Sequence, residues 1–397
     1  MSKLALASEP MLPFERPEPA AAEFFAGIGL ARLGLEQAGF RVSWSNDIEP
    51  AKHNMYARHF TEDTEDTHKF VLDDVANVGA DSLPPDRLAL AWASSPCVDV
   101  SLAGARLGLS GARSAAFYQF TRILGELPPD QRPPVVTLEN VVGLATSHGG
   151  ADLRAAIREL NGIGYSVDVL TLDARWFVPQ SRPRLFVVGV LNPPVDTPDA
   201  NPVLRPEWLQ APFRDKSLRT HRYLLPDIDP SPDISLSQVV ERLSADDPRW
   251  WDDMRKASFE EQLSPIQRDR LDQLRTGREI THRTAYRRTR QGKPQWEIRS
   301  DDIAGCLRTA RGGSSKQAVV EGGKGRFRVR WMTGIEYARL MGAGDYMIDG
   351  HRDGHLIFGF GDAVCVPAVA WLGKNYLMPF SLGNRESADT RLTAVGA

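Results

Sequence analysis

Cysteine is scarce: Cys97, Cys306 and Cys365 are the only three in 397 residues, too few and too widely spaced for a disulfide framework or a Cys-x-x-Cys zinc site. That scarcity fits a reducing cytoplasm. No uninterrupted run of about 18 apolar residues occurs, and the start, Met1 to Ala7 followed by Pro10, Pro13, Pro17 and Pro19, lacks the apolar core of a secretory signal. Both absences argue against a membrane role. Charge of one sign is missing as well, since 48 Lys and Arg against 51 Asp and Glu leave −3, so total charge selects no partner. There is no internal repeat. What remains is 42% hydrophobic and 25% charged residues, a globular composition with room for two or three domains at roughly 150 residues each.

From Ala21 to Val190, short apolar runs alternate with amphipathic stretches, the pattern of an α/β domain with a mostly parallel, doubly wound sheet. Strands are expected over residues 22–25, 41–45, 88–93, 135–139, 166–172 and 184–190, and helices over 30–38, 49–59, 112–124 and 151–160, with Pro50 suited to a first helical turn. After Val190 the prolines Pro193, Pro194, Pro198, Pro202 and Pro206 mark an exit into a second, smaller and irregular lobe. Residues 281–330 carry ten Arg and three Lys against two Asp and two Glu, a net of +9, which leaves −12 for the rest of the chain. Segregation of this kind suits a polyanion at one face. Thr333-Gly-Ile-Glu336 has the form of a capping box opening a helix through Leu340, and residues 364–372 suit a further apolar helix. The chain thus divides into a tail over 1–19, a first domain over 20–195, a second lobe over 196–329, a segment over 330–382 returning to the first domain, and a tail over 383–397.

Polar residues at the expected strand ends carry the chemistry. Phe25-Ala26-Gly27-Ile28-Gly29-Leu30 turns a first strand into a first helix, where glycines let the backbone approach a ligand. Asp47 follows twenty residues after Gly27, in register to accept from ribose hydroxyls, and Asp74 could hold an adenine amine. Ser95-Pro96-Cys97 follows the Leu88 strand at the sheet's carboxyl edge, where a thiolate could act as nucleophile. Glu139-Asn140 ends the next strand; a carboxyl there is poorly explained by packing and could serve as an acid with a raised pKa. Gln180-Ser181-Arg182-Pro183-Arg184 brings two guanidinium groups to the same edge.

This ordered set resembles the cytosine-5 DNA methyltransferases, bacterial restriction-modification or phage-defence type, from Glu23 to Leu372. The likeness extends to Arg330 with Glu336 and Arg339, and to Gly361-Asp362-Ala363-Val364. It implies a Rossmann-like, S-adenosylmethionine-dependent lobe, with S-adenosylhomocysteine as product and no metal. Cytosine would be flipped from the duplex. Cys97 would add to C6 while Glu139 bonds N3 and the exocyclic amine; C5 would take the methyl group, lose its proton and release Cys97. Asn140 would fix the Pro96-Cys97 loop, and Arg182 and Arg184 would steady the cytosine carbonyl. Phe25, Ala26, Gly27, Ile28, Gly29, Leu30, Asp47, Ile48, Asp74, Val75, Pro96, Asp362 and Val364 would hold the cofactor.

By the same likeness, residues between Arg184 and Arg330 form a target recognition lobe for duplex DNA. Arg287, Arg288 and Arg290 would meet phosphates, while Ser101, Arg308, Thr309, Arg311, Gly312, Gly313, Ser314 and Ser315 would face the DNA. The resemblance implies a cytoplasmic monomer on DNA, with cognate restriction or defence proteins as partners. Four positions depart from the family pattern: Val98 and Val100 stand for a Gln and an aromatic, Asp362 for an Asn, and Leu30 for a Gly. An RNA substrate and a catalytically silent DNA-binding homologue are the alternatives. A nicotinamide-dependent oxidoreductase leaves Cys97, Glu139 and the basic module unexplained.

Overall fold

The computed structural model describes residues 18–95, 115–198, 200–228, 235–309 and 316–382. The first domain is built on a sheet of β1 (Ala20–Phe24), β2 (Arg41–Asp47), β3 (Lys69–Leu72), β4 (Leu90–Ser94), β5 (Val135–Val141), β6 (Ser166–Asp173) and β7 (Pro183–Val190). Their order is β3-β2-β1-β4-β5-β7-β6, parallel except at β7, which runs antiparallel to both neighbours. The order reverses between β1 and β4, and such a switch point opens a ligand crevice at the strands' carboxyl ends. Six of these strands match the sequence expectation. β3 is additional, four partly exposed residues at the sheet edge, too short to show alternation.

Helices α1 (Leu30–Gln37), α2 (Pro50–His59), α3 (Ala115–Glu126), α4 (Gly143–Thr146) and α5 (Ala151–Gly162) cover the two faces. Pro50 opens α2 as expected, with the Glu49 side chain accepting from Ala51 N. Residue 112, the expected start of α3, lies outside the described residues. Alternation along the strands builds two cores: Leu90 and Trp92 face one way with Leu35 of α1, whereas Ala91, Ala93 and Leu138 face the other with Phe120 and Ile157 of α3 and α5.

Beyond β7 the chain forms α6 (Ala211–Arg214), α7 (Leu236–Val239), α8 (Asp253–Glu261), α9 (Pro265–Thr276), β8 (Thr281–Arg290), β9 (Lys293–Ile298), β10 (Gln317–Gly323) and β11 (Arg326–Trp331). Its strands make an antiparallel sheet, β11-β10-β8-β9, so this lobe is more regular than the sequence suggested. Arginines hide the strand pattern of β8. The two-residue turns Gln291-Gly292 and Lys324-Gly325 both take positive φ, as tight hairpins require, although neither uses the favoured Asn. The lobe has its own core, in which Trp251, Trp296 and Trp331 lie with ring centroids 5.2–5.7 Å apart.

The chain then returns to the first domain through α10 (Gly334–Leu340), α11 (Asp353–Asp362), α12 (Val366–Leu372) and α13 (Met378–Ser381). The Thr333–Glu336 capping box is present. α11 escaped the sequence reading because Gly359 and Gly361 weaken its helical signal. Packing demands both: a Cβ on Gly359 would stand 2.9 Å from Ile28 Cγ2, and one on Gly361 would stand 2.5 Å from the Arg308 carbonyl carbon. The stretch Asp353–Ser381 is long and apolar enough by composition to cross a membrane, yet 67% of its most apolar window is buried within the protein, against α1 and α2. The expected tail from Gly383 lies outside the described residues.

Candidate active site

At the switch point β1 ends in a turn whose Phe25, Gly27 and Gly29 all take positive φ, 58°, 58° and 81°. An aromatic residue in that conformation is strained, and strain of this kind collects at functional sites. Gly29 is required by packing, since a Cβ would stand 2.5 Å from Phe60. Among the described residues, only Lys52 Cδ comes within 4 Å of a Cβ built on Gly27, at 3.8 Å. Asp47 sits beside the turn, accepting from Gly27 N at 2.7 Å and from Glu49 N at 2.8 Å. Ile48 is 62% exposed next to it, an apolar surface suited to a planar ring. Asp74, exposed, accepts from Ala76 N, with Val75 buried behind it. Open glycine backbone, a ribose-height carboxylate and an exposed apolar side chain fit a nucleoside cofactor. The side chains of Ile28 and Leu30 lie in the core, where the helices α1, α11 and α12 pack across them, and buried Val364 lines a small cavity with Arg182 and Arg184. The turn therefore offers a ligand its main chain.

The second half of the site lies along the carboxyl ends of β4, β5 and β7. Glu139 faces Arg184 across the β5–β7 pair, with Arg184 Nε 3.0 Å from Glu139 Oε1. Burial raises the Glu139 carboxyl above its ordinary range, against the pull of Arg184 and Arg182, which favours a group that holds a proton. Asn140 Nδ2 donates to Ser95 Oγ at 3.1 Å and to Ser95 O at 3.3 Å, and so pins the residue that leads into Pro96-Cys97. Pro96, Cys97 and Ser101 lie outside the described residues. Arg182, expected near the cytosine carbonyl, has a different placement. It is buried and donates to the carbonyls of Leu307 at 2.7 Å, Gly361 at 3.2 Å and Ala363 at 2.5 Å, so it ties three distant segments together. Cys306 also comes to this edge. Burial alone would raise its thiol, but Arg182, Arg184 and Arg308 outweigh that and hold it below the ordinary range.

A model of the C-5 cytosine-specific DNA methylases matches residues 20–377. The chain belongs to that family. It is 33% identical over 178 residues, 43% of this chain and 38% of the relative, to the Type II methyltransferase M.BanI of Aneurinibacillus aneurinilyticus. It is 30% identical over 175 residues, 43% of this chain and 52% of the relative, to the Type II methyltransferase M.Bsp6I of Bacillus sp. (strain RFL6). These matches thus span about half or less of the curated relatives' length. The solved structure of the Entamoeba histolytica methyltransferase EhMeth covers 93% of this chain and 99% of its own with a TM-score of 0.58 at 15% identity, a likeness of fold. Membership of the family implies S-adenosylmethionine as methyl donor.

Five arginines of the basic run are paired with carboxylates, though the run keeps its net positive charge. Glu297 takes both Arg288 at 3.3 Å and Arg290 at 2.6 Å; Arg299 pairs with Asp301, Arg328 with Glu321, and Arg330 with Glu336. Arg288 and Arg290 share the single carboxylate of Glu297 and remain exposed. Arg287 and Arg308 are exposed. Thr309 donates to Asp362 Oδ1 at 3.1 Å, next to the cofactor turn and not clear of it. Arg311, Gly312, Gly313, Ser314 and Ser315 lie outside the described residues. A groove of about 410 Å³ opens between the start of α9 and the β8–β9 turn, lined by Arg290, Gln291, Gln295 and Glu297, side chains of the kind that read base edges.

Sequence reasoning missed Glu23, Lys52 and Tyr346, and gave Gln180 of the Gln-Ser-Arg-Pro-Arg motif no role of its own. Glu23 carries a carboxyl pushed up to about 8 by burial, and its Oε2 has no partner among the described residues; a Glu within an Ala-rich strand was the available signal. Tyr346 donates to Ile28 O at 2.8 Å and so fixes the cofactor turn from 318 residues away. Gln180, fully buried, bonds Leu340 O and Leu307 N and holds the two lobes' junction.

Proposed function

We propose that the protein transfers a methyl group from S-adenosylmethionine to C5 of a flipped-out cytosine in duplex DNA. The observation that carries this reading is the buried Glu139–Arg184 pair on the same strand ends as Asn140, whose amide anchors the root of the Pro96-Cys97 loop. Burial pushes the Glu139 carboxyl up, toward taking a proton that it can share with the pyrimidine N3, and Arg184 keeps the carboxyl aimed at that edge. Hydrogen bonding at N3 drains electron density from the ring, so the Cys97 thiolate bonds to C6 and C5 becomes the nucleophile. The cofactor, when bound, supplies an electrophilic methyl group. C5 then gives up its proton, the electron pair restores the ring double bond, and the bond from Cys97 to C6 breaks. Arg184 steadies the negative charge that develops in the ring.

On this reading Asp47 and Asp74 hold the ribose and adenine, Ile48 covers the ring, and the Gly27 turn lets the backbone close on the ligand. The lobe over residues 196–329 reads the target through Arg287, Arg308 and the groove beside the β8–β9 turn. Restriction-modification or phage-defence self-marking in the cytoplasm, with the protein monomeric on DNA, is the biological setting we infer, supported by the Type II relatives. The direct test is transfer of labelled methyl groups to unmethylated duplex DNA by the unaltered protein and by Cys97→Ser, followed by bisulfite sequencing. Methylated cytosine only with Cys97 present is expected. Transfer to RNA in preference to duplex DNA, or cofactor binding without transfer to either, would overturn it.

A further inference from the structure

S-adenosylmethionine ends, opposite its adenine, in an amino-acid group with one positive and one negative charge. If adenine and ribose are held at Ile48, Asp74 and Asp47, that end would lie along the Gly27 turn, where Lys52 passes and pairs with Asp362. A carboxylate only accepts hydrogen bonds, so Asp362 can take the α-ammonium but offers nothing to the α-carboxylate. The structure places a donor beside it. Lys52 Nζ lies 3.1 Å from Asp362 Oδ2, and the stem of Lys52 passes the open face of Gly27, with Cδ 3.8 Å from where a Cβ would stand.

Lys52 is held in that place. Its side chain is only 16% exposed, its ammonium lies 5.2 Å from the centre of the Phe358 ring, and Asp362 is itself fixed by Thr309 Oγ1 at 3.1 Å. Asp362 is half exposed, and an ion pair of that exposure adds little to stability, which leaves ligand binding as the use of two opposite charges facing one glycine turn. We propose that Lys52 binds the α-carboxylate of S-adenosylmethionine while Asp362 takes its α-ammonium. The two residues divide between them the acceptor and donor roles that an Asn amide at position 362 would combine, which accounts for the departure at that position. This inference rests on the cofactor reading given above.

Calorimetry on the full chain tests it with two probes: S-adenosylhomocysteine, which keeps the amino-acid end, and 5′-methylthioadenosine, which lacks it. Lys52→Met is expected to weaken S-adenosylhomocysteine by about tenfold or more, the loss of one charge-assisted contact, and to leave 5′-methylthioadenosine unchanged. Adding Asp362→Asn to Lys52→Met restores an amide donor and is expected to recover part of the loss. Equal weakening of both probes, or unchanged S-adenosylhomocysteine binding, would overturn the assignment. If the unaltered, folded chain binds neither probe, the cofactor reading itself fails, and the inference with it.

Discussion

Two Arg–carboxylate pairs lie on the same sheet and have opposite characters. Asp168 on β6 and Arg205 are both fully buried, and their valences are filled: Arg205 donates to both carboxylate oxygens at 2.9 and 2.6 Å and to the Ala200 and Tyr223 carbonyls, while Asp168 also accepts from Tyr376 Oη at 2.8 Å and Tyr223 N at 3.1 Å. That saturated cluster welds the post-β7 chain and the C-terminal helices to the sheet. Glu139 and Arg184 meet through Nε and Oε1 at 3.0 Å, at the mouth of the crevice, and burial there raises the carboxyl. The first pair, wholly enclosed, holds the fold; the second, whose Arg184 side chain is still 16% exposed at the crevice and whose carboxyl burial pushes up, is placed for chemistry.

The largest effect expected on activity comes from the second pair. Glu139→Gln should cut methyl transfer by about 100- to 10,000-fold while the melting temperature stays near that of the unaltered chain, as thermal denaturation beside a transfer assay would show. The mirror result is expected for the first pair. Asp168→Asn should cost on the order of 3–5 kcal/mol in denaturant unfolding, because it leaves the buried Arg205 charge without its counterpart. An Asp168 variant of full stability would break the contrast.

Glu23 sharpens it from a third side, as a buried carboxyl that accepts from Arg32 N at 3.3 Å and is pulled down by the Arg32 charge less than burial pushes it up. Its folded pKa of about 8 lies above the ordinary value of 4.5, so the folded state binds the extra proton between those values. Stability should therefore fall as pH rises from about 4.5 through about 8 and then level off. Glu23→Gln removes that dependence, so its gain over the unaltered chain should grow across the window toward a few kcal/mol, measurable by urea melts at pH 5 and pH 9.

The smallest stability change is expected at the exposed pairs of the recognition lobe. Glu297→Gln should cost under about 1 kcal/mol, since Arg288 and Arg290 are half solvated. Freed from Glu297, both arginines become available to phosphates, so DNA affinity should rise at low salt and its salt dependence should steepen. A flat salt response in that variant would place the DNA elsewhere.

Much of the first domain was legible because its signals are local. The Gly27 turn, Asp47 and Glu139-Asn140 sit at strand ends that alternation alone locates, and the capping box at Thr333 marks its own helix. Lys52 with Asp362, Tyr346 with Ile28, and Arg182 with Leu307 and Ala363 are contacts between residues 125 to 318 positions apart, and no spacing rule reports them. α11 was hidden for a related reason, since its glycines are dictated by neighbours from other parts of the chain. In the recognition lobe, net charge over residues 281–330 could not show that antiparallel pairing puts Glu321 opposite Arg328, nor that Glu297, opposite Tyr286, is close enough to take Arg288 and Arg290.

The most direct test of the central claim, that Cys97 attacks cytosine beside the Glu139–Arg184 pair, uses duplex DNA carrying 5-fluorocytosine in the methylated context. Fluorine cannot leave C5 as a proton does, so the bond from Cys97 to C6 should persist after methyl transfer. A protein–DNA complex that survives denaturing electrophoresis, forms only with S-adenosylmethionine and is absent with Cys97→Ser is the expected result. Methylation of ordinary cytosine by the same preparation with no trapped complex on the fluorinated duplex would contradict it.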